Sequence, residues 1–181
     1  VPRFESLWTY SKQIKKGKYP SKLKIWTDER MNNHEPFLIF FPTIELINQA
    51  APLLKEIEQT IEAVHSEDAE RKEKVMQLRA GKLAGLATST ILERGITIPH
   101  LQVAVIGSCH RVFDRAALIQ IAGRVGRSGK DPTGEIVFFH NGIKGKMNAD
   151  RADILFYKNK YPPARLIFFL DQDILHQAIL Y

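Results

Sequence analysis

Five consecutive apolar residues, Phe37 to Phe41, stand between two prolines and constrain the fold more than any other stretch of this 181-residue chain. The run has the length of a strand, and it does not alternate with polar residues, so both of its faces must be covered. Strands covered on both faces are typical of parallel sheets that carry helices on either side. We therefore predict that residues 37–41 form a buried parallel strand.

Further short apolar runs follow this strand, and helical patterns separate them. The runs are residues 61–65, 83–88, 102–107 and 135–139, and the helical patterns are residues 21–33, the stretch that follows Thr43, residues 69–79 and residues 114–128. This alternation predicts an α/β fold of three layers, in which helices flank a mostly parallel sheet. Leu23, Ile25 and Trp26 are expected to form the apolar side of the first helix, and Pro52 to kink or interrupt the second.

Composition limits the class of protein. An apolar content of 44% fits one globular domain, no apolar run is long enough to cross a bilayer, and no leader opens the chain. With Cys109 as its one cysteine, the chain can form neither an internal disulfide nor a cysteine-rich zinc site. We expect a soluble, cytoplasmic protein, with peripheral association at the inner face of the cell membrane left open.

The net charge of +6 suggests a polyanionic partner, because cations that neutralise phosphates release counterions. Lysines crowd residues 12–24, whereas residues 56–70 are acidic. Nucleic acid is the obvious candidate, but such a run is more often a solvated face, so it serves as supporting evidence only.

Residues 120–127 carry the pattern Q-x-x-G-R-x-G-R, built from Gln120, Gly123, Arg124, Gly126 and Arg127. Asp114 is predicted to cap a helix that ends near Gly129. On such a helix one face holds the glutamine and the two arginines, and the opposite face holds Leu118, Ile121, Ala122 and Val125.

A planar, always charged guanidinium can follow the charge that spreads over a transferred phosphoryl group. This arginine-finger role is worth roughly 10³ to 10⁵ in rate. Arginines near a helix C-terminus also suit the helix dipole. Gln120 and the paired glycines favour the phosphate interpretation, because a dipole effect needs neither.

Residues 88–99, T-S-T-I-L-E-R-G-I-T-I-P, resemble motif five of superfamily-two helicases, and residues 120–127 resemble motif six. Their wording is closest to the ComFA family of late-competence ATPases, which help Gram-positive bacteria take up transforming DNA; residues 1–4 and 36–48 also resemble that family. The resemblance covers about residues 1–160. It implies a leading segment with the first helix (1–35), a second RecA-like domain (36–160) of P-loop NTPase type without a Walker A motif, and a C-terminal extension (161–181).

The resemblance also implies roles for individual residues. Arg124 and Arg127 would contact the γ-phosphate, Gln120 would couple to the first domain, and Gly95, Thr97 and Gly123 would lie near the nucleotide. The backbone of single-stranded DNA would be contacted by Thr43, Ser89, Thr90, Arg71, Lys72 and Arg79. Many relatives carry an acidic residue where Thr97 stands, so a weak or absent ribose contact is expected here. Apart from the family, these residues fit strand-end hydroxyls, a glycine turn and solvated cations.

No G-x-x-x-x-G-K-[ST] motif and no magnesium-binding acidic motif occur in the sequence. The resemblance implies that an N-terminal RecA-like domain of the same protein, outside this chain, holds ATP and Mg²⁺ and that a four-cysteine zinc site also lies there. This chain alone is expected to bind no cofactor and hydrolyse no ATP. No histidines stand at metal-ligand spacing, so no metal site is assigned.

The resulting hypothesis is the C-terminal motor domain of an ATP-dependent DNA helicase or translocase that drives single-stranded DNA uptake during competence. Its expected partners are single-stranded DNA and the N-terminal RecA-like domain, with other competence proteins at the membrane channel left open and no membrane insertion. The alternatives are a replication-restart helicase, a non-catalytic nucleic-acid-binding module, and a docking platform that uses the acidic middle of the chain. Residues 164–181 fit either an added strand or a packing helix.

Overall fold

The computed structural model describes residues 13–89, 97–108, 110–125, 134–140 and 164–170. Its main helices are α1 (Ser21–Asn32), α2 (Ile44–Ile57), α3 (Arg71–Arg79) and α4 (Arg115–Ala122). Its strands are β1 (Phe37–Phe40), β2 (Ile61–Val64), β3 (Gly85–Thr88), β4 (Gln102–Ile106), β5 (Gly134–His140) and β6 (Ala164–Leu170). Strands and helices alternate as the sequence predicts from α1 to β3, whereas among the described residues no helix stands between β3 and β4 or between β5 and β6.

The strands form one parallel sheet in the order β2-β3-β1-β4-β5-β6. The strand predicted from the apolar run lies in its interior, where Phe40 is level with Thr88 of β3 and Val105 of β4. All strands point the same way, so the sheet has one edge where strands begin, the amino edge, and one where they end, the carboxyl edge.

Side chains of β1 alternate between two cores, one on each face of the sheet. Leu38 and Phe40 pack into the core that α3 and α4 cover, and Phe37, Ile39 and Phe41 pack into the core that α1 and α2 cover. This alternation follows the two-residue period of a strand. Because both faces are covered, the predicted three-layer α/β fold is confirmed.

The buried stripe of α1 differs from the predicted one. Leu23, Trp26, Thr27 and Arg30 are buried, whereas the side chain of Ile25 is 68% exposed, so its predicted place on the apolar side is wrong. The buried residues lie three or four positions apart along one helical face, and Ile25 falls outside that spacing.

Helix α2 continues through Pro52, so the predicted interruption is wrong. Proline removes one backbone hydrogen bond from a helix. Here Leu46, Ile47, Ala50 and Leu54 form a buried face against the sheet, while Pro52 lies on the exposed side. Burial of that face offsets the lost bond.

Arg30 ties the end of α1 to the amino edge. Its Nη1 donates to Glu135 Oε2 of β5 at 2.7 Å, its Nη2 lies 2.9 Å from Glu29 Oε1, and its Nε lies 3.2 Å from Glu35 Oε2. The guanidinium also lies 5.7 Å from the centre of the Trp26 ring. The Arg30 side chain is only 8% exposed, and a charge buried to this extent needs compensation. The three carboxylates supply it from several directions.

Of the two alternatives for residues 164–181, the strand holds for residues 164–170. They form β6, which pairs in parallel with β5 from Gly134 beside Ala164 to His140 beside Leu170. The sheet therefore extends one strand beyond β5.

Candidate nucleic-acid and nucleotide interface

The carboxyl edge brings together polar residues that are distant in sequence. Thr43 follows β1, His65 follows β2, Ser89 follows β3 and Ser108 follows β4. In open parallel sheets ligands bind beyond this edge, because loops of several strands meet there. Of the residues predicted to contact DNA, Thr43 and Ser89 therefore lie at this edge.

Thr43 is the N-cap of α2, as predicted. Its Oγ1 accepts the backbone N–H of Leu46 at 3.2 Å, and the residue is exposed. A threonine hydroxyl that accepts at a cap still has a proton to donate, and a helix N-terminus favours a nearby anion. The arrangement suits contact with a phosphate oxygen.

The end of β3 is fixed beside the end of β1. The backbone N–H of Phe41 donates to the carbonyl of Thr88 at 2.8 Å, and the buried Thr88 Oγ1 donates to the carbonyl of Ser89 at 3.3 Å. The half-buried Ser89 follows Thr88 directly, and Thr43 lies two residues beyond Phe41. Two of the residues predicted to contact the DNA backbone thus follow neighbouring strands.

The three predicted cations of α3 are divided between the two edges of the sheet. Arg71 and Lys72 start the helix near the end of β2, and Arg79 ends it at the amino edge. Eight helical steps separate Arg71 from Arg79 by about 12 Å along the axis. Lys72 is exposed, whereas Arg71 is half-buried and has interactions within the protein.

Lys74 and Asp68 hold the start of α3 in place. Lys74 Nζ donates to Asp68 Oδ2 at 2.8 Å and to the carbonyl of Ala63 at 3.2 Å. Burial acts to raise the pKa of Asp68, but hydrogen bonds from Lys74 and from the Glu70 backbone, with the charges of Lys74 and His65, bring it below its ordinary value. The carboxylate therefore stays ionised and anchors the loop that carries the basic end of α3.

Helix α4 starts where the sequence predicts and ends earlier. Asp114 Oδ1 accepts the N–H of Ala117 at 2.8 Å, which confirms the N-cap. The helix stops at Ala122 with Gly123 as C-cap, so the predicted end near Gly129 is wrong. Beyond it the N–H of Arg124 donates to the Ile121 carbonyl at 3.1 Å, which closes a tighter turn than that of an α-helix. Gly123 favours this end because glycine has a low helix propensity.

This turn changes how the motif is presented. Gln120 is exposed on the last turn of α4, whereas Arg124 is half-buried beyond the helix and takes part in an interaction within the protein. Leu118, Ile121 and Val125 are buried as predicted, and Ala122 is partly buried. The shared helical face expected for Gln120 and Arg124 therefore does not exist in that form.

Some predicted residues lie outside the described residues. These are Thr90, Gly95, Gly126 and Arg127. Thr97 is described and exposed before β4, and Gly123 ends α4 as stated. The DNA contact assigned to Thr90 and the nucleotide contacts assigned to the others stay predictions.

His110 lies in the loop between β4 and α4, before the helix that leads into the motif. Its Nδ1 accepts the N–H of Val112 at 3.1 Å. Burial lowers the pKa of His110 below its ordinary value, and the charge of Arg111 lowers it further. The imidazole is therefore held neutral near physiological pH.

A cavity of about 440 Å³ lies at the amino edge. Met31, His34, Arg79, Lys82 and Ile98 contribute to its lining. Of the described residues that are predicted to contact nucleotide or DNA, Arg79 is the one that lines this cavity.

Lysines of the N-terminal segment lie closer to the candidate interface than the sequence analysis indicated. Lys15 Nζ is 3.8 Å from Glu45 Oε1, which stands in the first turn of α2 just after Thr43. The lysines between residues 12 and 24 were interpreted only as supporting charge. Their sequence distance from Thr43 gave no signal of this proximity.

Neither a metal centre nor a membrane segment is found in the described ranges. There, no group of three His, Cys, Asp or Glu side chains is placed to hold a metal ion. None of the helices in the same ranges has the length and apolar character needed to cross a lipid bilayer.

The parallel sheet, its covering helices and the polar carboxyl edge define a RecA-like α/β domain. The chain belongs to the helicase conserved C-terminal domain family, whose model matches residues 21–129, more than half of its length. This membership agrees with the motifs recognised at residues 88–99 and 120–127.

Two curated relatives are competence proteins. The chain is 38% identical over 141 residues to the competence protein ComFA of Bacillus subtilis (strain 168), covering 78% of this chain and 30% of that protein. It is 37% identical over 149 residues to ComFA of Streptococcus pneumoniae (strain ATCC BAA-255 / R6), covering 81% of this chain and 34% of that protein. The chain thus spans about a third of the length of these relatives.

The fold is also similar to domain 2 of the DEAD-box helicase Mss116p, solved bound to an RNA duplex. The TM-score is 0.58 at 20% sequence identity, and the match covers 90% of this chain and 61% of that one. At this identity the likeness concerns the fold.

Proposed function

We propose that this chain is the C-terminal motor domain of an ATP-dependent translocase that moves single-stranded DNA during competence. The observation that carries the proposal is its 38% and 37% identity to two ComFA proteins over about four fifths of its length. Both are described as competence proteins. The family, the helicase conserved C-terminal domain, supports the coarser statement of an ATP-dependent helicase.

The carboxyl edge supports a contact with nucleic acid. Thr43 and Ser89 follow the neighbouring strands β1 and β3 at this edge, and Lys72 is exposed at the basic start of α3. Hydroxyls and cations of this kind contact phosphates without reading bases, so they suit a protein that moves along any sequence. Arg79, at the opposite edge, would need a different path of the strand.

The end of α4 supports the nucleotide role. Gln120 is exposed on the last turn of α4, and Arg124 follows four residues later. We assign γ-phosphate contacts to Arg124 and Arg127, with ATP and Mg²⁺ held mainly by an N-terminal RecA-like domain. Guanidinium groups that arrive only when the domains close would stabilise charge in the transition state.

The test is an ATPase assay on the protein that carries this chain together with the remaining length of its relatives. Arg124→Ala and Arg127→Ala should each lower DNA-stimulated turnover by about 10³-fold or more, with ATP binding nearly unchanged. Arg111→Ala is the matched control, because this exposed arginine lies in the loop that precedes α4. It should retain turnover.

Three results would contradict the proposal. Equal turnover in the Arg127 variant ends the finger assignment. Tight DNA binding without any ATPase, unaffected by either arginine, favours a non-catalytic binding module. Strand unwinding in place of translocation on single strands favours a helicase of the replication-restart type.

A further inference from the structure

A turn of lysines precedes α1, and its backbone is well fixed. Residues 15–18, here called the lysine turn, carry Lys15, Lys16 and Lys18 around Gly17. The amides of Lys16 and Lys18 donate to the carbonyl of Gln13 at 3.1 and 2.8 Å, and Gly17 has a φ of +72°. Glycine adopts this left-handed conformation without strain, so it closes the turn.

Buried residues anchor the lysine turn on both sides. Ile14 is 2% exposed and packs in the core with Leu23 of α1. On the other side Pro20 is buried, and the Tyr19 hydroxyl forms a 3.0 Å hydrogen bond with Thr27 Oγ1. Little backbone entropy remains to be lost when a ligand binds, which favours a preformed contact.

Two observations place the lysine turn at the carboxyl edge. Helix α1 ends at the amino edge, where Arg30 meets Glu135, so the turn before its first residue lies at the opposite end. Lys15 Nζ also lies 3.8 Å from Glu45 Oε1, two residues beyond Thr43. The lysine turn and the cap of α2 are therefore neighbours.

Two of the three lysines of the lysine turn keep their charge available to a ligand. Lys16 and Lys18 are exposed and form no ion pair with any residue that the structure describes. The pair of Lys15 with Glu45 is also exposed and contributes little to stability, but it reduces the repulsion that the Glu45 carboxylate would exert on a phosphate near Thr43.

We propose that the lysine turn binds phosphates of single-stranded DNA and extends the contact surface beyond Thr43. This inference rests on the proposed function and adds an element that lies before the family match at residue 21. A rigid cationic turn beside a capped helix gives the strand a second set of sequence-independent contacts.

The test is binding of single-stranded DNA to the full-length protein at several salt concentrations. The double variant Lys16→Gln/Lys18→Gln should weaken binding by about three- to tenfold per lysine at low salt. It should also reduce the slope of log affinity against log salt by about 1.4, since one single-strand phosphate contact contributes about 0.7. The matched control is Lys24→Gln/Lys82→Gln, which removes the same charge at an exposed pair on α1 and at the amino edge.

The outcomes separate this inference from the proposed function. A loss of affinity and slope in the first double variant alone supports it. Equal losses in both double variants, which indicate a general field effect, overturn it, as does an unchanged slope. If the wild-type protein has DNA-stimulated ATPase activity but the lysine substitutions leave DNA binding unchanged, only the inference about the lysine turn is overturned. If the wild-type protein neither binds DNA nor hydrolyses ATP, both the inference and the proposed function are overturned. Binding to vesicles of anionic lipid is measured alongside. If the first double variant loses vesicle binding but retains DNA binding, the inference is also overturned.

Discussion

Arg30 at the amino edge of the sheet and three lysines at the carboxyl edge differ in how their charges are used. At the amino edge, Arg30 is buried among the carboxylates of Glu29, Glu35 and Glu135. At the carboxyl edge, Lys16, Lys18 and Lys72 are exposed to solvent. Cations that are paired inside the fold contribute to its structure, whereas exposed cations are available to a polyanion.

The comparison teaches that charge count alone does not locate a binding surface. The net charge of +6 belongs to the whole chain, but its accessible part near the candidate site comes from a few side chains. What distinguishes them is position relative to strand direction, because loops at the carboxyl edge converge and can share one ligand.

The amino edge should respond strongly to loss of its arginine. Arg30→Ala leaves the largely buried carboxylate of Glu135 without its cation and should lower the free energy of unfolding by about 3 to 5 kcal/mol, measured by urea denaturation. Lys24→Ala, which breaks the exposed 2.6 Å pair with Asp28, should cost under about 1 kcal/mol. Equal costs for the two variants would remove the contrast between the edges.

The carboxyl edge should respond in function more than in stability. Thr43→Asp retains a capping oxygen for α2 but introduces a negative charge beside the proposed phosphate path. We expect an unfolding free energy within about 0.5 kcal/mol of wild type and a loss of affinity for single-stranded DNA of about tenfold, measured by titration. Thr43→Asn is the control, since it caps without charge. A variant with aspartate that binds DNA as tightly as wild type would exclude Thr43 from the path.

The smallest effect is expected at the loop that supports α3. The pKa of Asp68 is depressed in the folded state, so its contribution to stability is present above the ordinary pKa of about 4 and is lost as pH falls through the lower folded-state value. Asp68→Asn should therefore be less stable than wild type at pH 7. The difference should shrink as pH falls below about 4, measured by denaturation at each pH. If the difference in unfolding free energy between Asp68→Asn and wild type did not depend on pH, packing rather than the carboxylate charge would explain it.

Local patterns predicted much of the fold. The unbroken apolar run at residues 37–41 identified the buried strand β1, and the side chains of Thr43 and Asp114 identified the starts of α2 and α4. These signals are local, because a cap or a strand is specified by residues a few positions apart. Helix ends were harder, since tertiary packing of Val125 continues beyond the glycine that ends α4.

Contacts between distant residues could not be predicted in the same way. Arg30 and Glu135 are 105 positions apart, and nothing near either residue indicates the other. The proximity of Lys15 to Glu45 likewise depends on how α1 and α2 pack on one face of the sheet. The candidate site was therefore predicted as a set of motifs, while the lysine turn emerged only from the packing.

The position of β6 has a practical consequence for any shortened form of this protein. Along its whole length β5 exposes no free backbone edge on that side, because residues 134–140 pair with residues 164–170. Ending the polypeptide before residue 164 would uncover a row of unpaired N–H and C=O groups alongside the apolar sequence I-V-F-F. Such an open border recruits strands from other molecules, so self-association would follow from the cut itself.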